Sequence, residues 1–228
     1  MRTITYKDIT YSVERKERKT LSIYVEPTGK IKILAPKDIS KEELNQIIEN
    51  KRYWIYKSLS ELEELNETKV EREIVDGEGF LYLGRSYKLK IQKNLKRPLT
   101  LRQGRFYLDK AHKMDAQDCF KEFYREKGLK HVSERVNYFK GKLGVSPNPV
   151  RVMELKNRWG SCSEKHLNFH WKIMMAPMKI IDYIIVHELA HIIEPKHSLR
   201  FWEIVGAVIP DYRQRREWLK VNGANLDI

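Results

Sequence analysis

The chain has 228 residues, 41% of them hydrophobic and 33% charged, with 44 Lys and Arg against 31 Asp and Glu for a net charge of +13. That length and apolar share suit one large domain or two small ones around a buried core, and exclude compositional disorder. The longest apolar stretch, Ile180 to Ile193, is too short to span a membrane and is interrupted by Asp182, His187, Glu188 and His191.

From the N-terminus, Thr3 to Val13 alternates loosely and Leu21 to Val25 strictly. Pro27-Thr-Gly29 supplies turn chemistry before Lys30 to Leu34, so a hairpin is predicted there. Ser40 and Glu43 have capping-box spacing. Leu44, Ile47, Ile48, Trp54, Ile55 and Leu59 then mark a long amphipathic helix, broken by Asp76-Gly77 and Gly79. Phe80–Leu83, Tyr87–Ile91, Leu99–Leu101 and Arg105–Leu108 read as short strands. From about residue 113, Phe120, Phe123, Tyr124, Leu129, Val132, Val136, Phe139 and Leu143 form a helical stripe that Gly144, Pro147 and Pro149 end. Val150–Leu155 is a strand candidate, and Leu167, Phe169, Trp171 and Ile173 alternate as a half-buried strand. A helix opens at Ala176-Pro177 and closes at Pro195, and another starts near Ser198 and is broken by Pro210 before Tyr212 to Leu219. No sequence repeat stands out. The domain boundary is predicted near residue 110, giving a β-rich basic region (1–110, two hairpin-like units flanking a helix) and a domain over 111–228.

The charge is unevenly spread. Residues 61–80 hold eight acidic and two basic residues, residues 81–110 nine basic and one acidic, and residues 178–228 seven of each. The excess lies in the N-terminal and middle regions, where it favours a solvated surface and makes weak nucleic-acid association the alternative. Two cysteines, Cys119 and Cys162, cannot make a disulfide framework, and the N-terminus lacks an apolar signal segment. The expectation is therefore a cytoplasmic protein with no membrane partner.

The informative segment is His187-Glu188-Leu-Ala-His191. On a helix, residues four apart share a face, so both imidazoles can reach one Zn2+ at about 2.0–2.1 Å. Glu188, about 100° round the helix, can reach a metal-bound water and act as its general base. A catalytic zinc takes three protein ligands and keeps one position open. His197, beyond the turn at Pro195, is the favoured third ligand, with Glu194 as its rival. Tyr183 is a candidate donor to a developing oxyanion, and Asp182 and His170 are candidates to support the site. His166 and His170 share a strand face and are expected to be exposed. Arg158-Trp159-Gly160 looks like a strand end that needs a glycine backbone.

Asn157-Arg-Trp-Gly-Ser-Cys-Ser163, Met174-Met-Ala-Pro177, Ile181-Asp-Tyr183, the His187 to His191 run and His197-Ser-Leu-Arg-Phe-Trp202 resemble the YgjP-like predicted zinc metallopeptidases, which belong with the SprT-like zincins. The resemblance covers the chain in outline, including Tyr82-Leu-Gly84, and is strongest from about 150 to 219. It implies His187, His191 and His197 as metal ligands and Glu188 as catalytic base. His170 stands where the family's strand carries Asn. The resulting expectation is an α+β protein, with an N-terminal β-rich region followed by a zincin-like metallopeptidase domain holding a small sheet and a central HExxH helix. It would hydrolyse peptide bonds in protein or peptide substrates laid along a sheet edge, expected at the Leu167–Ile173 strand. The alternatives are a zinc-stabilised nucleic-acid module and a peptidase recruited to DNA-bound proteins.

Overall fold

A computed structural model describes residues 2–26, 29–67, 72–156 and 158–228. Asn157 and the Pro27-Thr28 part of the predicted turn lie outside them. The protein is α+β and divides into two compact units, Met1–Lys69 and Val70–Ile228.

The first unit is a four-stranded sheet with one long helix. Strands β1 (Arg2–Tyr6), β2 (Ile9–Lys16), β3 (Ser22–Val25) and β4 (Ile31–Pro36) lie in the order β1-β2-β4-β3. The predicted hairpin is present, with β3 antiparallel to β4. Helix α1 (Lys41–Glu67) starts on the predicted box: Glu43 Oε2 accepts the Ser40 N–H at 2.9 Å, and Ser40 Oγ accepts the Glu43 N–H at 3.1 Å. Its Leu44, Ile48 and Ile55 bury themselves with Tyr11, Val13, Ile31 and Ile33. Trp54, placed by periodicity in the buried stripe, is 44% exposed.

The second unit begins with the same arrangement. Strands β5 (Gly79–Tyr82), β6 (Arg85–Gln92), β7 (Leu99–Arg102) and β8 (Arg105–Asp109) lie in the order β5-β6-β8-β7, followed by α2 (Ala116–Leu143). Each sheet pairs its first two strands antiparallel, its second and fourth parallel, and its third and fourth antiparallel. Both first hairpins turn on two residues, Lys7-Asp8 and Leu83-Gly84, with φ 52° at Lys7 and 50° at Leu83. The motif is thus present twice with little shared sequence.

The two copies differ in what the helix packs against. α2 has its sheet on one side and α3 (Met178–Ala190) among its other contacts. Phe80, Leu89, Phe106 and Leu108 of the sheet therefore share a core with Phe120, Tyr124 and Val132 of α2 and with Ile180, Ile181 and Ile185 of α3. A boundary near residue 110, where the change from strand to helix composition predicts one, would part this sheet from the helices that share its core, and the division lies at Lys69/Val70 instead.

A three-stranded sheet completes the framework. Strands β9 (Arg151–Met153), β10 (Gly160–Ser163) and β11 (His166–His170) lie in the order β10-β11-β9. The predicted strand from Leu167 to Ile173 stops at His170, where Trp171–Met175 winds into a 3-10 turn. His170 Nδ1 caps that turn by accepting the Lys172 N–H at 3.1 Å. An Asn side chain can make the same kind of cap. β11 is the central strand, so Leu167–Ile173 does not form the expected sheet edge, and the edges are β10 and β9.

α3 opens at Pro177, its N-cap, rather than including the proline, and ends at Ala190, ahead of Pro195. The Leu83-Gly84 turn holds its entrance. Leu83 N–H donates to the Met174 carbonyl at 2.8 Å and Gly84 N–H to the Met175 carbonyl at 3.1 Å. Gly84 has φ 78°, and a Cβ there would lie 2.8 Å from Pro177 Cα. Helices α4 (Leu199–Val208) and α5 (Tyr212–Asn222) follow, with Ser198 Oγ capping α4 through the Phe201 N–H. Among the described residues, no helix is long and apolar enough to cross a membrane.

Candidate metal centre

His187 lies in the last turn of α3, and His191 is that helix's C-cap. His197 sits in the following loop, just before the Ser198 cap of α4. One ligand atom from each of the three falls within 4.8 Å of the others. His187 Nε2 and His197 Nε2 are 3.0 Å apart. His191 Nδ1 is 3.2 Å from the Glu194 carbonyl oxygen, and donating there leaves Nε2 free to bind. The Glu194 carboxylate turns elsewhere, its Oε1 accepting the Lys196 N–H at 3.2 Å. Of the two candidates for a third ligand, the geometry gathers His197 with the pair.

Burial sets the charge state of these groups. It drives His187 down to about 3, helped by His191, His197 and Arg216, and it also lowers His197. Both imidazoles are therefore neutral at neutral pH, the form in which a ring nitrogen can bind a cation. His187 Nδ1 is buried without a hydrogen-bond partner among the described residues. Three imidazoles with ligand atoms converging within 4.8 Å fit a divalent transition metal.

The ring of Phe201 packs against all three imidazoles, with centroids 4.5–4.9 Å away. Trp202 stacks on His197 at 5.7 Å and on Tyr212 at 5.2 Å, with the Arg216 guanidinium 5.1 Å over its ring. These aromatic residues fix the loop that brings His197 back to α3.

Glu188 is 7% exposed. Burial pushes its carboxyl up to about 7, against the opposing pull of Arg158. It shares a cavity of about 490 Å³ with the three histidines, Arg158, Trp159, Gly160, Ser161, Cys162 and Tyr183. A Cβ at Gly160 would stand 2.7 Å from both Cγ and Oε1 of Glu188, so the carboxylate occupies the space of the missing side chain. Tyr183 is buried with its ring 5.9 Å from that of His187, and burial raises its pKa, keeping the hydroxyl protonated.

Two supporting candidates lie away from the cavity. Asp182 faces α2, where Arg135 holds it through Nε at 2.6 Å and a second nitrogen at 2.7 Å. His170 is buried rather than exposed, with Nε2 3.3 Å from Glu154 Oε1. Its partner on the strand face, His166, is exposed as expected, near Asn148. β10 went unread in the sequence because Gly160-Ser-Cys-Ser163 has no apolar alternation, although Arg158-Trp159-Gly160 did signal a glycine requirement. Trp202 was signalled only as part of the motif that carries the family resemblance, and Arg216 carried no sequence signal. A second group with ligand-forming atoms, His112, Asp115 and Cys119, sits at the start of α2, with its His and Asp hydrogen-bonded to each other at 3.0 Å.

The family model described as YgjP-like, metallopeptidase domain, matches residues 19–222. The crystal structure of the metallopeptidase zymogen of Pyrococcus abyssi abylysin is similar over 39% of this chain and 90% of its own, at 25% identity and a TM-score of 0.37. No curated protein matches the chain.

Proposed function

The chain belongs to the YgjP-like metallopeptidase family, and from that premise we propose that it is a zinc peptidase of the HExxH type with Glu188 as its acid–base group. The observation that carries this reading is the burial of one carboxylic acid in the same cavity as three converging imidazoles. His187, His191 and His197 would hold the ion, which when bound supplies Lewis acidity to a scissile carbonyl and to water. Glu188, buried in the cavity beside the histidines, would take a proton from the attacking water and return it to the leaving amine. Tyr183, protonated and on the cavity wall, would donate to the oxygen that gains charge.

The substrate would add to the edge of β10. That strand pairs with β11 on one side only, and Gly160, Ser161 and Cys162 line the cavity. An extended peptide paired there would run past Glu188, with main-chain hydrogen bonds supplying affinity. Asp182, tied to Arg135, would act by fixing α3 against α2, and His170 by capping the turn that leads into α3.

The test separates metal from chemistry. Glu188→Gln should retain stoichiometric zinc in elemental analysis and lose casein or peptide cleavage by about 10²–10⁴-fold. His197→Ala should lose the metal as well. Full cleavage by Glu188→Gln would remove the assignment.

A further inference from the structure

We propose that the outer face of the β5–β8 sheet is a binding surface for single-stranded nucleic acid, with Lys88, Lys90, Arg102 and Arg105 taking the phosphates and Tyr107 offering a stacking platform. The placement is fixed by register. Leu89, Phe106 and Leu99 point into the core, so their neighbours Lys88, Lys90, Arg105, Tyr107 and Thr100 project from the opposite face. Lys88 lies directly opposite Arg105 in the parallel pair, and Arg102 opposite Arg105 in the antiparallel pair. Three cations thus stand in one row across three adjacent strands, about 4.8 Å apart. Like charges placed opposite one another destabilise a sheet. All four cations are exposed, and none forms an ion pair among the described residues.

The next row is Lys90, Tyr107 and Thr100, and the Arg102 guanidinium lies 4.5 Å over the Tyr107 ring. Strands β6, β7 and β8 hold a single carboxylate, Asp109, and it is committed to the backbone N–H groups of Leu95 at 2.5 Å and Ala111 at 2.9 Å.

The protein contains its own comparison. In the first unit, Val13 and Ile33 pair as Leu89 and Phe106 do, so Ser12, Glu14, Lys32 and Tyr24 hold the places of Lys88, Lys90, Arg105 and Arg102. Only one of those four is a cation, and Lys32 is neutralised by Glu14 at 2.8 Å. The same topology therefore folds without the cationic row, and the row on the second sheet calls for an anionic ligand. A flat face that combines cations with a ring stacked under a guanidinium suits unstacked bases and their backbone better than a duplex groove.

This inference does not depend on the peptidase reading, because binding is measured without cleavage. Fluorescence anisotropy of the full chain with a labelled oligothymidylate of about 20 nucleotides should show affinity that falls steeply with salt. Lys88→Glu/Arg105→Glu should weaken binding by about ten-fold or more and flatten the salt slope by about 1.4. Tyr107→Ala should weaken it by about five-fold. Lys19→Glu/Lys30→Glu changes the net charge equally on exposed residues of the first unit and should leave affinity within about two-fold. Unchanged far-UV circular dichroism would show that each variant folds. The proposal is overturned if the oligonucleotide does not bind, if the charge-matched control weakens binding as much, or if phosphatidylserine vesicles bind where the oligonucleotide does not.

Discussion

Gly160→Ala probes the contact between the β10 edge and the carboxylate behind it. The three atoms nearest to an added Cβ all belong to Glu188, with Cγ and Oε1 at 2.7 Å and Cδ at 2.9 Å. Comfortable carbon contacts begin at about 3.5 Å, so Glu188 must retreat by roughly 0.8 Å. Gly160 is not among the glycines with positive φ, so its backbone accepts alanine without strain. Alanine in a strand gains roughly 0.5–1 kcal/mol over glycine, which offsets part of the cost of moving the side chain. A displacement near 1 Å in a catalytic group costs up to about 10²-fold. The expected loss in kcat/KM is about 10–100-fold, or about 1.4–2.7 kcal/mol. Zinc content and thermal midpoint should stay close to the parent, because no histidine is among those nearest atoms. The assay is cleavage of casein or a fluorogenic peptide mixture beside elemental analysis of the same sample. Cleavage within two-fold of the parent would refute the idea that this glycine makes room for a working Glu188.

Three further outcomes follow from other contacts. Arg135→Ala strands Asp182, 15% exposed, between α2 and α3 and should cost about 3 kcal/mol in denaturant unfolding. Gly84→Ala combines a left-handed backbone with a Cβ 2.8 Å from Pro177 Cα and should cost about 2–4 kcal/mol, read as a lowered Tm. His170 is held below its ordinary pKa by burial first and by Lys172, against Glu154, so the folded state favours the neutral ring. Its stabilising contribution is complete above the unfolded value of about 6.5 and is lost as pH falls below it. His170→Asn keeps a capping group and removes the titration, so its Tm should fall less steeply than the parent's below pH about 6.5.

Much of the candidate site is legible in the sequence because it is local. His187, Glu188 and His191 are fixed by one helical turn, and the Ser198 cap and Pro210 break place α4 and α5 without tertiary information. His197 is legible as a residue with room to fold back, but the Phe201 and Trp202 rings that hold it there are not. Long-range pairing is what stays hidden. Asp182 finds Arg135 47 residues away, and β10 becomes a strand only because β11 supplies its partner. The alternation from Leu167 continues to Ile173, and nothing in that period announces that His170 will cap a turn instead. The doubled sheet-and-helix motif escapes notice because the copies share register and burial rather than residues.

The common core of β5–β8, α2 and α3 decides where this chain can be cut. A fragment starting at residue 111 would leave Phe120 without the stacked ring of Phe80, 4.3 Å away, and the Met174 and Met175 carbonyls without their donors. A fragment starting near residue 70 keeps all of these. The smallest piece worth expressing is therefore 70–228, and it carries the cations of β6, β7 and β8 in the same body as the three histidines. A ligand held on that basic face would be held on the same compact unit as the three histidines.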